Sequence, residues 1–66
     1  MEYKIKRIAG QHAVITQDKH GNDYRWGSLV YERGKGWRCD RGASSSPYYK
    51  DREKTISYMI LNDKRY

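Results

Sequence analysis

Phenylalanine is absent from this chain of 66 residues, which holds one cysteine, one proline and no long hydrophobic run. A single thiol, Cys39, cannot form a disulfide within the chain. Together with the two histidines, His12 and His20, it falls short of a structural zinc site. Without a long apolar run there is no candidate signal peptide or membrane span. The sequence therefore predicts a cytoplasmic protein with no metal, no cofactor and no membrane partner.

Complete catalytic motifs are missing as well. The serine run 44–46 lacks the strand-to-helix glycine turn that presents a serine nucleophile, and no base stands near it. The segment 34–36, Gly-Lys-Gly, is only a fragment of a phosphate-binding loop. Cys39 is expected to point inward, where a thiol is inert. We therefore expect that the protein is not an enzyme.

Tyrosine and tryptophan have to replace phenylalanine in any core. The chain holds seven Tyr and two Trp, and its mean hydropathy is −1.17. A chain this short buries only about 60% of its unfolded surface, so one small domain is all that it can support. Aromatic residues nevertheless make up 14% of the chain, which is more than disordered segments carry. We predict a single folded domain over residues 1–66.

Periodicity divides the chain into a sheet followed by a helix. Alternating apolar and polar residues predict strands up to about residue 41, separated by glycine-containing turns. Residues 42–50 are expected to form a loop, and a helix is expected over about 51–63 with Asp51 as its N-cap. The prediction is an α+β fold, an antiparallel three- to four-stranded meander with one C-terminal helix packed on one face, in the order β-β-β-β-α.

Strand alternation also sorts the side chains into two faces. Trp26 and Trp37 are expected to point toward the helix and to hold the fold together. A bulge at Gly27 would shift the register and add Leu29 and Tyr31 to the core; without a bulge, Val30 would take that place. The helix is expected to contribute a stripe of four residues, Ile56, Met59, Ile60 and Asp63.

Cations dominate the opposite face. The formal charge is +6 and the sequence pI is about 9.6, which favours an anionic partner. A cationic sheet face can contact phosphates, and a sheet can enter the DNA major groove. Asp40 and Glu32 would weaken this surface. The predicted function is a nucleic-acid-binding module, for DNA more than RNA and for duplex more than single strands. Its candidate residues are Lys4, Lys6, Arg25 and Arg38 on the strands, extended at one end by Arg33, Lys35 and Arg41.

A protein-interaction module is the alternative function. Tyr58 is expected off the buried stripe of the helix, with Leu61 beside it, and tyrosine is enriched at interface hot spots. Such a module or inhibitor would dock an acidic partner surface. The same two residues would also suit the interface of a homodimer.

The order of elements is similar to that of a known class of DNA-binding domain. A meander followed by a helix that opens after Tyr48-Tyr49-Lys50-Asp51 resembles the small sheet-plus-helix domains, which include the arm-binding domains of tyrosine recombinases. The resemblance covers about residues 24–61 and implies a sheet laid in the major groove. Size and charge are also similar to those of small accessory proteins of bacteriophages and mobile elements.

Overall fold

Five antiparallel strands and one helix are formed by residues 2–62. The computed structural model describes residues 2–62, so the predicted stripe position Asp63 lies outside the described residues. The predicted α+β meander with a C-terminal helix is confirmed, with one strand more than expected. The elements in order are β1 (Lys4–Ile8), β2 (Gln11–Gln17), β3 (Asp23–Glu32), β4 (Gly36–Arg41), β5 (Ser44–Ser45) and α1 (Arg52–Asn62).

The predicted loop 42–50 is in part a pairing partner of β4. Ser44 and Ser45 pair with Arg41 and Asp40. Further along, Tyr49 forms an isolated bridge with Trp37: the Trp37 N–H donates to the Tyr49 carbonyl oxygen at 2.7 Å, and the Tyr49 N–H donates to the Trp37 carbonyl oxygen at 2.9 Å. An edge strand needs partners for its free backbone groups, and this segment supplies them to β4. The sequence did not predict the pairing of this segment with β4, because serine and proline are typical of loops.

The predicted bulge at Gly27 is confirmed. Val14 pairs with Gly27 and Ile15 with Arg25, so Trp26 is the extra residue in β3. A Cβ at Gly27 would lie 2.9 Å from the Asp40 carbonyl oxygen, so glycine is what allows β4 to pass this close. The shifted register sends Leu29 into the core, as expected. Tyr31 was also expected to join the core, but it remains 59% exposed.

The core lies between the sheet and α1. From the sheet it receives Val14, Trp26, Leu29 and Cys39, and from the helix Ile56 and Met59. Trp26 is buried as predicted, whereas Trp37 is only half-buried.

The buried stripe of α1 differs from the predicted one at two positions. Ile60 is 38% exposed, and the fully buried Thr55 takes its place beside Ile56 and Met59. The docked face is therefore centred about one position earlier along the helix than apolar periodicity indicated. Burial of Thr55 is possible because its hydroxyl donates to the Arg52 carbonyl oxygen at 2.6 Å.

The start of α1 is the predicted one. The Asp51 carboxylate accepts a hydrogen bond from the Glu53 backbone N–H at 2.9 Å, which satisfies one of the free donors of the first turn. Within residues 2–62, no helix has the length and apolar character needed to cross a membrane.

Candidate nucleic-acid interface

One face of the sheet is covered by α1, and in the part of the chain that the structure describes no helix covers the other face. Ladder pairing assigns each strand residue to a face, because directly opposed residues share a face and neighbours along a strand alternate. We call the face opposite α1 the open face. Its side chains on β1 to β4 are Lys4, Lys6, Ile8, Gln11, Ala13, Ile15, Gln17, Asp23, Arg25, Ser28, Val30, Glu32, Arg38 and Asp40. All four strand cations predicted to point outward therefore lie on one surface.

An apolar floor lies between these cations. Ala13 is fully buried and Ile15 is 6% exposed, although no helix covers them. Lys4 and Arg25 flank Ile15 in the ladder, and Lys6 stands directly opposite Ala13. Long cationic side chains cover apolar surface with their stems while their charged ends stay in water. The sequence pattern of β2 could not reveal this floor, because burial on the open face depends on what the neighbouring strands carry.

Arg25 lies at the centre of the open face and is held flat against the sheet. Its Nη2 donates to Gln11 Oε1 at 2.9 Å and to Ser28 Oγ at 2.7 Å. Within residues 2–62, no carboxylate forms an ion pair with Arg25 or with Lys6. Both side chains are exposed, so both positive charges face solvent without neutralisation by a bonded anion.

Lys4 forms an ion pair with a carboxylate. Its Nζ lies 3.2 Å from Asp23, and the two side chains are 53% and 43% exposed. Hydrogen bonds from Lys4 and then Gln17 lower the pKa of Asp23, so this carboxylate is ionised at neutral pH. An exposed pair of this kind contributes little to stability and is weakened by salt. A phosphate can therefore compete with Asp23 for Lys4.

Arg38 forms more hydrogen bonds within the protein than Lys4 or Arg25. Its Nε and Nη2 donate to the two oxygens of Asp40 at 2.8 and 3.0 Å, and Nη1 donates to the Tyr48 hydroxyl at 2.9 Å. The hydrogen bond to Asp40 raises the pKa of Arg38 further. Burial works against ionisation of Asp40, but the hydrogen bonds from Arg38 and Ser45 outweigh it and lower its pKa. The guanidinium thus holds the chain segment after β5 onto the sheet.

The hairpin between β3 and β4 carries the next two predicted cations. The Lys35 ammonium lies 4.0 Å from Glu32 and 5.4 Å from the centre of the Tyr48 ring. Glu32 also accepts a hydrogen bond from the Tyr48 hydroxyl, and this bond, more than the charge of Lys35, lowers its pKa. Arg33 is exposed at the hairpin turn and has no ion pair within the described chain.

Arg41 does not extend the open face. It belongs to the same row of β4 as Cys39, on the side of α1, and its guanidinium lies 4.8 Å from the centre of the Trp26 ring. Its Nε donates to the Trp26 carbonyl oxygen at 3.2 Å. The expectation that it joins Arg33 and Lys35 at one end is wrong, because it stands at the opposite end of β4 and on the other face.

The residues of the alternative interface are not equally accessible. Tyr58 is half-buried against the core, with its ring 6.5 Å from that of Tyr49. Leu61 is 77% exposed, and the neighbouring Ile60 is 38% exposed. Two aliphatic side chains thus form the accessible part of this patch.

Cys39 is fully buried in the core. Burial first, and the Asp40 charge second, raise the pKa of the Cys39 thiol to about 11, so it stays protonated at neutral pH. Among residues 2–62, no three side chains from His, Cys, Asp and Glu come together as a metal site.

Sequence reasoning missed a group of three rings on the helix side of the sheet, His12, Tyr31 and Trp37. We call them the uncovered aromatic cluster, since α1 leaves the Tyr31 ring exposed. The Tyr31↔Trp37 pairing would have been visible from the length of the β3–β4 hairpin, but the contact with His12 depends on the register of β2.

The chain matches no protein-family model, and searches of curated proteins and of solved structures found no match.

Proposed function

We propose that the protein is a small, non-enzymatic nucleic-acid-binding module that contacts duplex DNA through its open face. A cytoplasmic location and a role as an accessory protein of a phage or mobile element are part of this proposal. The observation that supports it best is the pair Lys6 and Arg25, two cations of the open face that form no ion pair with a carboxylate among residues 2–62 and that flank the apolar floor. Exposed cations on one sheet face suit a phosphate backbone, and a sheet can enter the major groove.

The salt dependence of binding tests this function. Fluorescence anisotropy with a labelled DNA duplex is expected to show a linear fall of log affinity with log salt concentration. If Lys4, Lys6 and Arg25 each neutralise one phosphate, the slope is expected to be about −3. Absence of binding to both duplex DNA and duplex RNA at low salt would contradict the proposal.

Asp40→Asn is expected to tighten duplex binding. The substitution removes a negative charge from the open face and releases Arg38 from its two-oxygen contact, so one more cation becomes available to phosphate. We expect a gain of about three- to tenfold in affinity near 0.1 M salt and a salt slope steeper by about one.

The matched control for Asp40→Asn is Glu53→Gln. Glu53 is an exposed residue of α1, on the other side of the sheet, and its loss changes the net charge by the same amount. Anisotropy titrations of the two variants should therefore differ. Equal gains for both would mean that net charge, and not the open face, controls affinity.

The protein-interaction alternative has narrower support. Exposed Leu61 and Ile60 favour a contact of α1 with another protein, but half-buried Tyr58 is engaged with the core. The cations of the open face would then meet acidic side chains. Absence of nucleic-acid binding, with protein partners retained in a pull-down from a nuclease-treated lysate, would favour this alternative over the proposed one.

A further inference from the structure

The uncovered aromatic cluster lies at the end of the sheet where β3 and β4 extend beyond the hairpin formed by β1 and β2. Trp37 is its centre, with ring centroids 5.4 Å from His12 and 5.1 Å from Tyr31, both in edge-on contact. Tyr31 pairs with Trp37 in the ladder, two residues beyond the Leu29↔Cys39 pair of the core, so both rings are on the helix side. The helix does not reach them fully. Tyr31 is 59% exposed, and His12 and Trp37 are half-buried.

Arginines surround this cluster. The Arg52 guanidinium lies 5.8 Å from the centre of the Trp37 ring. On the other side, Arg7 of β1 stands directly opposite His12. Both arginines are exposed, and in the described part of the chain neither forms an ion pair.

The carboxylates close in sequence to the rings and to Arg52 have other partners. Glu32 follows Tyr31 in β3 and so projects to the open face, where Tyr48 and Lys35 engage it. Asp51 precedes Arg52, and its carboxylate accepts the backbone hydrogen bond that begins α1. Glu53 follows Arg52, and its carboxylate accepts a hydrogen bond from the Tyr3 hydroxyl. The surface around the rings is therefore positive, which disfavours an acidic side chain of this protein as a cover and favours an anionic ligand with flat apolar parts.

Unpaired nucleic acid has that composition. Bases stack on exposed Tyr, Trp and His rings and on guanidinium planes, while arginines contact the phosphates between them. A duplex does not offer free base faces to such a surface. A group of partly exposed rings in edge-on contact, bordered by cations, is thus suited to a strand whose bases are exposed.

We propose that the uncovered aromatic cluster binds single-stranded nucleic acid, with bases stacked on Tyr31 and Trp37 and phosphates contacted by Arg7 and Arg52. This inference rests on the proposed nucleic-acid function but uses the face opposite the one assigned to duplex DNA. A ligand with both paired and unpaired parts could then engage both faces of the sheet at once.

Titration with oligothymidylate tests the inference. Tyr31→Ala is expected to weaken binding about tenfold, since one stacked base is lost. Tyr31→Phe keeps the ring and is expected to remain within about twofold of the unchanged protein. Tyr24→Ala is the matched control, because Tyr24 is on the same strand, is 42% exposed and lies at the other end of β3. Oligothymidylate is also expected to quench the emission of Trp37, the more accessible of the two tryptophans.

The outcomes separate this inference from the proposed function. Binding of duplex without binding of oligothymidylate would overturn the inference and leave the function standing. Oligothymidylate binding that Tyr31→Ala leaves unchanged, or that Tyr24→Ala weakens equally, would also overturn it. Loss of oligothymidylate binding in Tyr31→Ala, with duplex affinity retained, is the expected result. Failure of every nucleic acid to bind would end both proposals.

Discussion

Gly36→Ala is expected to lower the free energy of unfolding by about 3 kcal/mol or more. Gly36 opens β4 at φ +103°, a backbone conformation that residues with a side chain rarely adopt. A Cβ there would also lie 2.4 Å from the Tyr49 carbonyl oxygen, which accepts a hydrogen bond from the Trp37 backbone N–H. Backbone atoms cannot move aside cheaply, so the segment that carries Tyr48 and Tyr49 would have to leave β4.

Gly34→Ala provides the control for this prediction. Gly34 has a similar positive φ of +85° in the same hairpin, but a Cβ there would meet nothing within 4 Å. Its substitution therefore reports the backbone strain alone, about 1–2 kcal/mol. Urea titrations followed by circular dichroism measure both variants. If Gly36→Ala is no more destabilising than Gly34→Ala, then the segment after β5 is not rigidly held against β4.

The consequence for a small domain would be large. A chain of this length has a total stability of about 3–10 kcal/mol. Because Tyr48 accepts a hydrogen bond from Arg38, detachment of the segment would also remove that contact, while the two hydrogen bonds from Arg38 to Asp40 would remain.

Much of the fold could be predicted from local patterns. Alternation in β1 to β4 and the Asp51 cap are properties of neighbouring residues, and the glycine in β3 indicated the bulge. The fifth strand could not be predicted in this way. Ser44 and Ser45 pair with β4 because they lie beside an edge that would otherwise have unpaired backbone groups, not because serine favours strands.

The candidate site shows the same limit. Strand alternation correctly placed Lys4, Lys6, Arg25 and Arg38 on one face. It could not show that Asp23 neutralises Lys4, or that Tyr48 joins Arg38, since these contacts span 19 and 10 positions of the chain. Arg41 was assigned to the open face from its place near a turn, but the row it shares with Cys39 sends it to Trp26.

These pairings identify which cations should matter most for duplex binding. The double variant Lys6→Gln with Arg25→Gln removes the two open-face cations that have no carboxylate partner among residues 2–62. Each phosphate contact contributes about tenfold in affinity near 0.1 M salt through counterion release. We therefore expect the double variant to bind duplex DNA about 100-fold more weakly and with a salt slope smaller by about two. Anisotropy titrations over a range of salt concentrations measure both quantities.

Lys50→Gln with Lys54→Gln is the control that holds net charge constant between the two double variants. Both lysines are exposed and lie outside β1 to β4, Lys50 two residues before α1 and Lys54 within it. If the open face binds the phosphates, this variant should lose little affinity and keep its salt slope. Equal losses in the two double variants would show that DNA responds only to total charge, and the assignment of the open face would then be wrong. Circular dichroism should report folded protein in both, because glutamine retains part of the stem that covers Ala13 and Ile15.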